Sequence, residues 1–319
     1  MAHYDVFNGD ADGVLSLVQL RLAHPANSVL ITGVKRDISL LKQVSPDVGD
    51  SITVLDVSME KNAEALDSVL DLGAEVTYID HHRAGHIPAH GSLSAHINLD
   101  ANTCTALIVD ELLNGTYHAW AIAAAYGDNL IAKADSLVAA AEYNEGQREF
   151  LKELGTLVNY NGYGEHIGDL HFHPAELFKR LVKSLSPFEL REDKSSVFYE
   201  LKSAYEADMS ELDEVEACYS TKVVEAFRLP HKLWAKRVSG VFGNELANTA
   251  PNRAHVVFTD NADGTLMVSL RAPLANKQGA GDICSQFPTG GGRAAAAGVN
   301  KLPEHMMSDF LGVVERYYA

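Results

Sequence analysis

Three short apolar runs near the start of the chain each stop abruptly on an acid or an imidazole, and no other feature restricts the architecture as much. The first, His3-Tyr4-Asp5-Val6-Phe7-Asn8, ends in Gly9-Asp10-Ala11-Asp12-Gly13. The second, Ser51-Ile52-Thr53-Val54-Leu55, ends in Asp56-Val57-Ser58, and the third, Val76-Thr77-Tyr78-Ile79, in Asp80-His81-His82. Runs of this length bounded by turn residues read as strands. Between them, residues 13–22 and 62–72 carry helical periodicity. Strand and helix in alternation argue for an α/β domain built on a doubly wound parallel sheet. Ligands of such sheets sit beyond the carboxyl ends of the strands, so three polar strand tips point into one crevice.

Asp10 and Asp12 are two residues apart, which in extended backbone sends both carboxylates to one side. Oxygen and imidazole donors without thiolates suit manganese, magnesium, iron or zinc, and disfavour a structural zinc site. Taken singly, each feature has a plainer reading. Asp80-His81-His82 is a metal site, a phosphate site or a solvated turn, and Asp12 is placed to cap the helix after it. Lys35-Arg36, after the strand-like 28–34, reads as a solvated pair in preference to a phosphate contact. His171-Phe172-His173 puts two imidazoles on one side of an extended segment but has no acid or thiol beside it, so a second metal site there is disfavoured. Asn161-Gly162-Tyr163-Gly164 lacks the preceding strand that a dinucleotide fingerprint needs.

The motifs in order, Asn8-Gly9-Asp10-Ala11-Asp12-Gly13, Val54-Leu55-Asp56 and Asp80-His81-His82, resemble those of the DHH phosphoesterase superfamily. The small-residue run Ala119–Gly127 ending in Asp128-Asn129 resembles its fourth motif. Gly290-Gly291-Gly292-Arg293 resembles the glycine-rich signature of the associated substrate domain. The resemblance implies Asp10, Asp12, Asp56, His81 and Asp128 as ligands of two manganese ions, with magnesium as an alternative and Asp56 bridging. It implies Asp80 as the partner that orients an imidazole and His82 as a donor to the phosphate or leaving group. Hydroxyls of Thr103 or Thr105 would lie nearby, although capping is the simpler role for Thr103. Arg271, Gly291, Gly292 and Arg293 would bind substrate, across a cleft between two domains. Three positions depart from the pattern, one of them Asn8, where RecJ-type members often carry another acid. Val6 stands where pyrophosphatase-like and nanoRNase-like members carry a histidine ligand, and Arg293 where many members carry histidine.

The expected organisation is a catalytic domain over 1–185, a charged helical connector over 186–230 and a smaller α+β substrate domain over 231–319. Residues 256–260 and 266–270, around Asn261-Ala262-Asp263-Gly264-Thr265, read as a hairpin. With 26 basic against 43 acidic residues the formal charge is −17, which disfavours binding to long duplex nucleic acid and leaves room for a short phosphorylated substrate. Three scattered cysteines, no charged-then-apolar leader and no membrane-length apolar run lead to the expectation of a cytoplasmic protein that does not contact membranes. A homodimer is compatible with all of this. The reaction expected is metal-assisted hydrolysis of a short oligonucleotide or nucleotide phosphoester. A polyphosphatase or pyrophosphatase, and a catalytically weak nucleotide sensor, are the alternatives.

Overall fold

In the computed structural model, which describes residues Met1–Ala319, the chain divides into two compact units, Met1–Ala204 and Tyr205–Ala319. The first opens with β1 (His3–Phe7), α1 (Ala11–Ala23), β2 (Val29–Thr32), β3 (Ser51–Leu55), α2 (Ala63–Asp71), β4 (Glu75–Asp80) and β5 (Leu93–Ile97). Helices α3 (Thr105–Leu112), α4 (His118–Gly127), α5 (Ile131–Ala140), α6 (Glu145–Asn161), α7 (Pro174–Leu181), α8 (Phe188–Glu192) and α9 (Val197–Ser210) follow, α9 crossing the division between units.

The five strands are all parallel, in the order β2-β1-β3-β4-β5. Alternation along them dresses both faces. Val6, Ile52, Val54, Val76 and Tyr78 join Leu66, Val69 and Leu70 of α2 in one apolar cluster. The intervening residues face the other way, where Asp5 pairs with Arg21 of α1 and Phe7 meets Phe178 of α7 at 6.1 Å. Helices therefore cover both faces, as the strand–helix alternation implies. Strand order reverses between β1 and β3, which makes their carboxyl ends the switch point where such sheets bind ligands. The register is level there: Phe7 pairs with Leu55, and Leu55 with Ile79. Asp56 and Asp80, one residue further on, consequently share one edge with the loop that carries Asp10 and Asp12.

Helix α4 is buried along Ala119–Gly127. Its small side chains let α6 approach until a Cβ on Gly155 would lie 2.0 Å from the Ala123 carbonyl oxygen. That close crossing fixes the C-terminal end of α4, and with it Asp128.

The second unit contains β6 (Ala217–Ser220), β7 (Val224–Leu229), α10 (Leu233–Thr249), β8 (Ala254–Asp260), β9 (Thr265–Arg271), α11 (Ala280–Cys284), β10 (Gly290–Gly292), β11 (Ala296–Pro303) and α12 (Met307–Tyr318). Its sheet has the order β10-β11-β9-β8-β7-β6 and is antiparallel except for β7–β8, which α10 connects as a crossover. Phe258, Phe287 and Phe310 centre its core. The 256–270 hairpin is present as β8–β9.

One expectation needs correction. The segment 186–230 is not wholly a helical connector: its last part forms β6 and β7, and Val224, Ala226 and Leu229 are fully buried in the second sheet. Gly290–Gly292, in the glycine-rich signature, forms an edge strand paired to β11. Gly292 takes a φ of 144°, closed to ordinary side chains.

Candidate metal centre

The acid-bearing strand tips do converge. Asp10 is the N-cap of α1, its Oδ1 accepting the amides of Asp12 at 3.0 Å and Gly13 at 3.2 Å. The capping role expected of Asp12 thus falls to Asp10. Asp12 instead accepts the amides of Thr105 and Ala106, each at 2.8 Å, and so caps α3 from far away in sequence. Thr105 also donates its hydroxyl to Asp56 Oδ1 at 3.3 Å. Asp56 breaks out of β3 with a φ of +56°, left-handed backbone that costs a non-glycine residue about 1–2 kcal/mol. Strain of that kind collects at functional sites.

His81 is the centre of the group. Its Nδ1 lies 3.0 Å from the Thr103 carbonyl oxygen, which only accepts, so Nδ1 carries the proton and a neutral ring offers the Nε2 lone pair. That Nε2 sits 3.4 Å from Asp56 Oδ1, 3.5 Å from Asp12 Oδ2 and 4.0 Å from Asp128 Oδ2. An acceptor nitrogen facing three carboxylates is repulsive unless the ring is protonated or a cation lies among them. Ligands roughly 2.0–2.2 Å from a divalent ion are themselves roughly 3–3.5 Å apart, so the spacing fits a cation of that type. Asp56, His81 and His82 also each bring a ligand atom within 4.8 Å of the others.

The electrostatics agree. Burial, then the neighbouring charges of Asp12, Asp10, Asp80 and Asp128, push the Asp56 carboxyl well above its ordinary range. Burial likewise raises Asp12, helped by Asp128 and Asp10 and opposed by His81. Carboxyls whose charges crowd one another in this way are relieved by a cation placed among them. Asp10 behaves differently. Burial would raise it, but the Lys35 ammonium outweighs that effect and the net shift is downward.

Asp80 is fully buried and its Oδ1 lies 2.7 Å from His82 Nδ1, so the imidazole it orients is His82. The reading of Lys35 as a solvated residue is overturned. Its Nζ contacts Asp10 Oδ2 and lies 3.2 Å from Asn159 Oδ1. The signal was its place at the end of β2, the neighbour of β1, but that adjacency exists only once the strand order is known. Asn159, buried on α6, carried no signal of its own. The two imidazoles of the 171–173 segment go separate ways, His171 to the Tyr160 hydroxyl at 2.7 Å and His173 to the amide of Ala175 at 3.1 Å.

In the second unit, Arg271 is buried, with bonds to Asn244 Oδ1, Ser269 Oγ and the carbonyls of Leu270 and Gly240. These ties hold β9 to α10 and leave little of the guanidinium for a substrate. Arg293 is exposed beyond β10, and a Cβ built on Gly291 meets nothing within 4 Å.

No protein-family model matches the chain, and no curated protein does. Solved structures do. A pGpG-specific phosphodiesterase, PggH from Vibrio cholerae, superposes with a TM-score of 0.59 at 15% identity, covering 100% of this chain and 99% of that one. The exonuclease RecJ bound to manganese gives 0.56 at 17%, covering 99% and 90%. An exopolyphosphatase-related protein from Bacteroides fragilis gives 0.53 at 13%, covering 99% and 92%. This chain shares the fold of all three.

Proposed function

We propose that the chain is a divalent-metal-dependent phosphoesterase that hydrolyses short nucleotide or oligonucleotide phosphoesters. One observation carries the reading: His81, fixed in the tautomer that exposes Nε2, aims that nitrogen at Asp12, Asp56 and Asp128. The three carboxylates and His81 would hold the cation, and manganese is the ion bound in the RecJ structure of the same fold. A divalent ion bound there would polarise a phosphoryl oxygen and make water acidic enough to attack.

The chain's own groups supply the rest. Thr103 holds the His81 ring through its carbonyl, and Thr105 holds Asp56 through its hydroxyl. His82, its Nδ1–H held by Asp80, is partly exposed, and as the imidazolium it would give its Nε2 proton to a departing alkoxide. Lys35 offers ammonium hydrogens toward non-bridging phosphoryl oxygens. Arg293, exposed beyond β10 in the second unit, is a proposed phosphate-binding residue on the resemblance alone. The two solved structures that act on a dinucleotide or are exonucleases support a nucleotide-type substrate over an inorganic one.

The test is a substrate panel with manganese: a linear dinucleotide, short RNA, short DNA, pAp and pyrophosphate. Turnover is expected on the short nucleotide esters, and Asp56→Ala is expected to abolish it. Hydrolysis of pyrophosphate or polyphosphate alone would move the assignment to the inorganic substrates. Tight nucleotide binding without turnover of anything would make the protein a sensor.

A further inference from the structure

The carboxylates of the site fall into two groups, and only one of them is arranged for a metal. Asp12, Asp56 and Asp128 gather on His81 Nε2 at 3.4–4.0 Å. Asp10 does not join them. Its Oδ1 is taken by the amides of Asp12 and Gly13, and its Oδ2 by the Lys35 ammonium. We propose that the Lys35 ammonium stands where a second divalent ion would, so that this chain holds one cation rather than two.

The lysine is built into the site rather than laid over it. Its amide donates to the Gly162 carbonyl at 2.8 Å, and its own carbonyl accepts from Asn8 Nδ2 at 3.1 Å. Asn8 Oδ1 in turn accepts the Asp10 amide at 3.1 Å, so one asparagine ties the backbones of both partners of the ion pair. At the tip of the side chain, Asn159 Oδ1 takes a second ammonium hydrogen at 3.2 Å, and the Tyr163 ring centroid lies 5.5 Å away. A divalent ion on Asp10 Oδ2 would have to share that oxygen with the ammonium, placing two like charges in contact on one buried carboxylate. The neighbouring strand position offers no substitute ligand, because Val6 is fully buried in the apolar cluster under the sheet. What the lysine retains of a metal's work is positive charge and hydrogen-bond donors for phosphoryl oxygens. It loses Lewis acidity, which is left to the single ion at His81.

This inference rests on the metal-site reading above, and the experiment separates the two. Metal-free protein is titrated with manganese, following heat by calorimetry and the manganese spectrum by paramagnetic resonance, with Asp56→Ala as the control for the site. One ion per chain with the spectrum of an isolated ion is expected. Two ions per wild-type chain, or an exchange-coupled spectrum, would overturn the lysine proposal and leave the metal site standing. No binding in the wild type would overturn the metal site itself. Lys35→Ala and Lys35→Gln, both checked for folding by circular dichroism, are expected to take up a second ion and show coupling. If both folded variants still bind one ion with wild-type affinity, Lys35 is not occupying a cation position.

Discussion

At the scale of single residues, the site is made of side chains whose environment contradicts their charge unless a partner is present. Asp80 is the clearest case outside the ligand group. It is fully buried, it bonds His82 through Oδ1, and its Oδ2 has no partner. Asp80→Asn keeps the shape but can present an amide hydrogen to Nδ1 and so favour the opposite tautomer of His82. Outer partners of this kind are worth roughly 10–100-fold, so kcat is expected to fall by about that factor with KM nearly unchanged. An equal rise in KM would show that Asp80 shapes substrate binding instead. Asp5, on the opposite face from the α2 cluster, is a structural counterpart. Burial raises its carboxyl, but hydrogen bonds from His3, Arg21 and Ser28 and the charge of Arg21 outweigh that, and its native pKa lies below the unfolded value. A lowered native value means the stabilisation is complete above the unfolded pKa, about 3.9, and is lost as pH falls through the native one. Asp5→Asn leaves Arg21 buried without its anion and is expected to cost about 3–5 kcal/mol at neutral pH. The loss should shrink toward pH 3 in urea titrations; a loss that stays constant with pH would place the effect in packing rather than charge.

At the scale of elements, what could be read in advance was whatever a strand or helix carries on its own end. Asp10, Asp12, Asp56, His81 and Asp128 were legible because each lies within a few residues of the end of an element whose periodicity is visible locally, and parallel strands put like ends at one edge. Lys35 follows a strand three residues beyond its end, but its meaning depends on β2 lying beside β1, which no local pattern states. The same holds for β7: Glu225 and Arg228 give the 217–229 segment the look of a solvated connector, and only the second sheet explains why Val224 and Ala226 are buried. Arg271 was misjudged for the converse reason, since an arginine closing a strand looks available until α10 supplies its acceptors. Close packing of elements is the least legible of all. Gly155 resembles a helix-weakening residue in sequence, yet it is what lets α6 lie against α4. Gly155→Ala would drive a methyl group into the Ala123 backbone oxygen, and backbone has no side-chain freedom with which to yield. A loss of about 1–3 kcal/mol is expected, measured as a lower urea midpoint, with weaker manganese binding because α4 carries Asp128. A variant as stable as the wild type would show that the two helices can separate freely.

At the scale of the whole molecule, the charge decides which polyanions can approach. A protein that grips duplex DNA through several phosphates releases counterions and loses about 10³–10⁵ in affinity between about 50 and 200 mM salt. This chain has a formal charge of −17, and several of the basic side chains it does possess are already engaged. Arg21 pairs with Asp5, Lys35 with Asp10, Arg148 with Asp135, and Arg237 with Asp208. The excess of acids over bases disfavours a continuous cationic track along a long backbone, whereas a substrate with one or two phosphates would need only a cation held at His81 and the Lys35 ammonium. The expected outcome is that kcat/KM falls as oligonucleotide length rises past a few residues. Binding of a labelled duplex should be weak at low salt and change by less than about tenfold over the same salt range. Fluorescence anisotropy across a salt series measures the second, and product release from a length ladder the first. Tight duplex binding with a steep inverse salt slope would mean that local basic surface overrides the net charge, and it would reassign the substrate from short esters to polymeric nucleic acid.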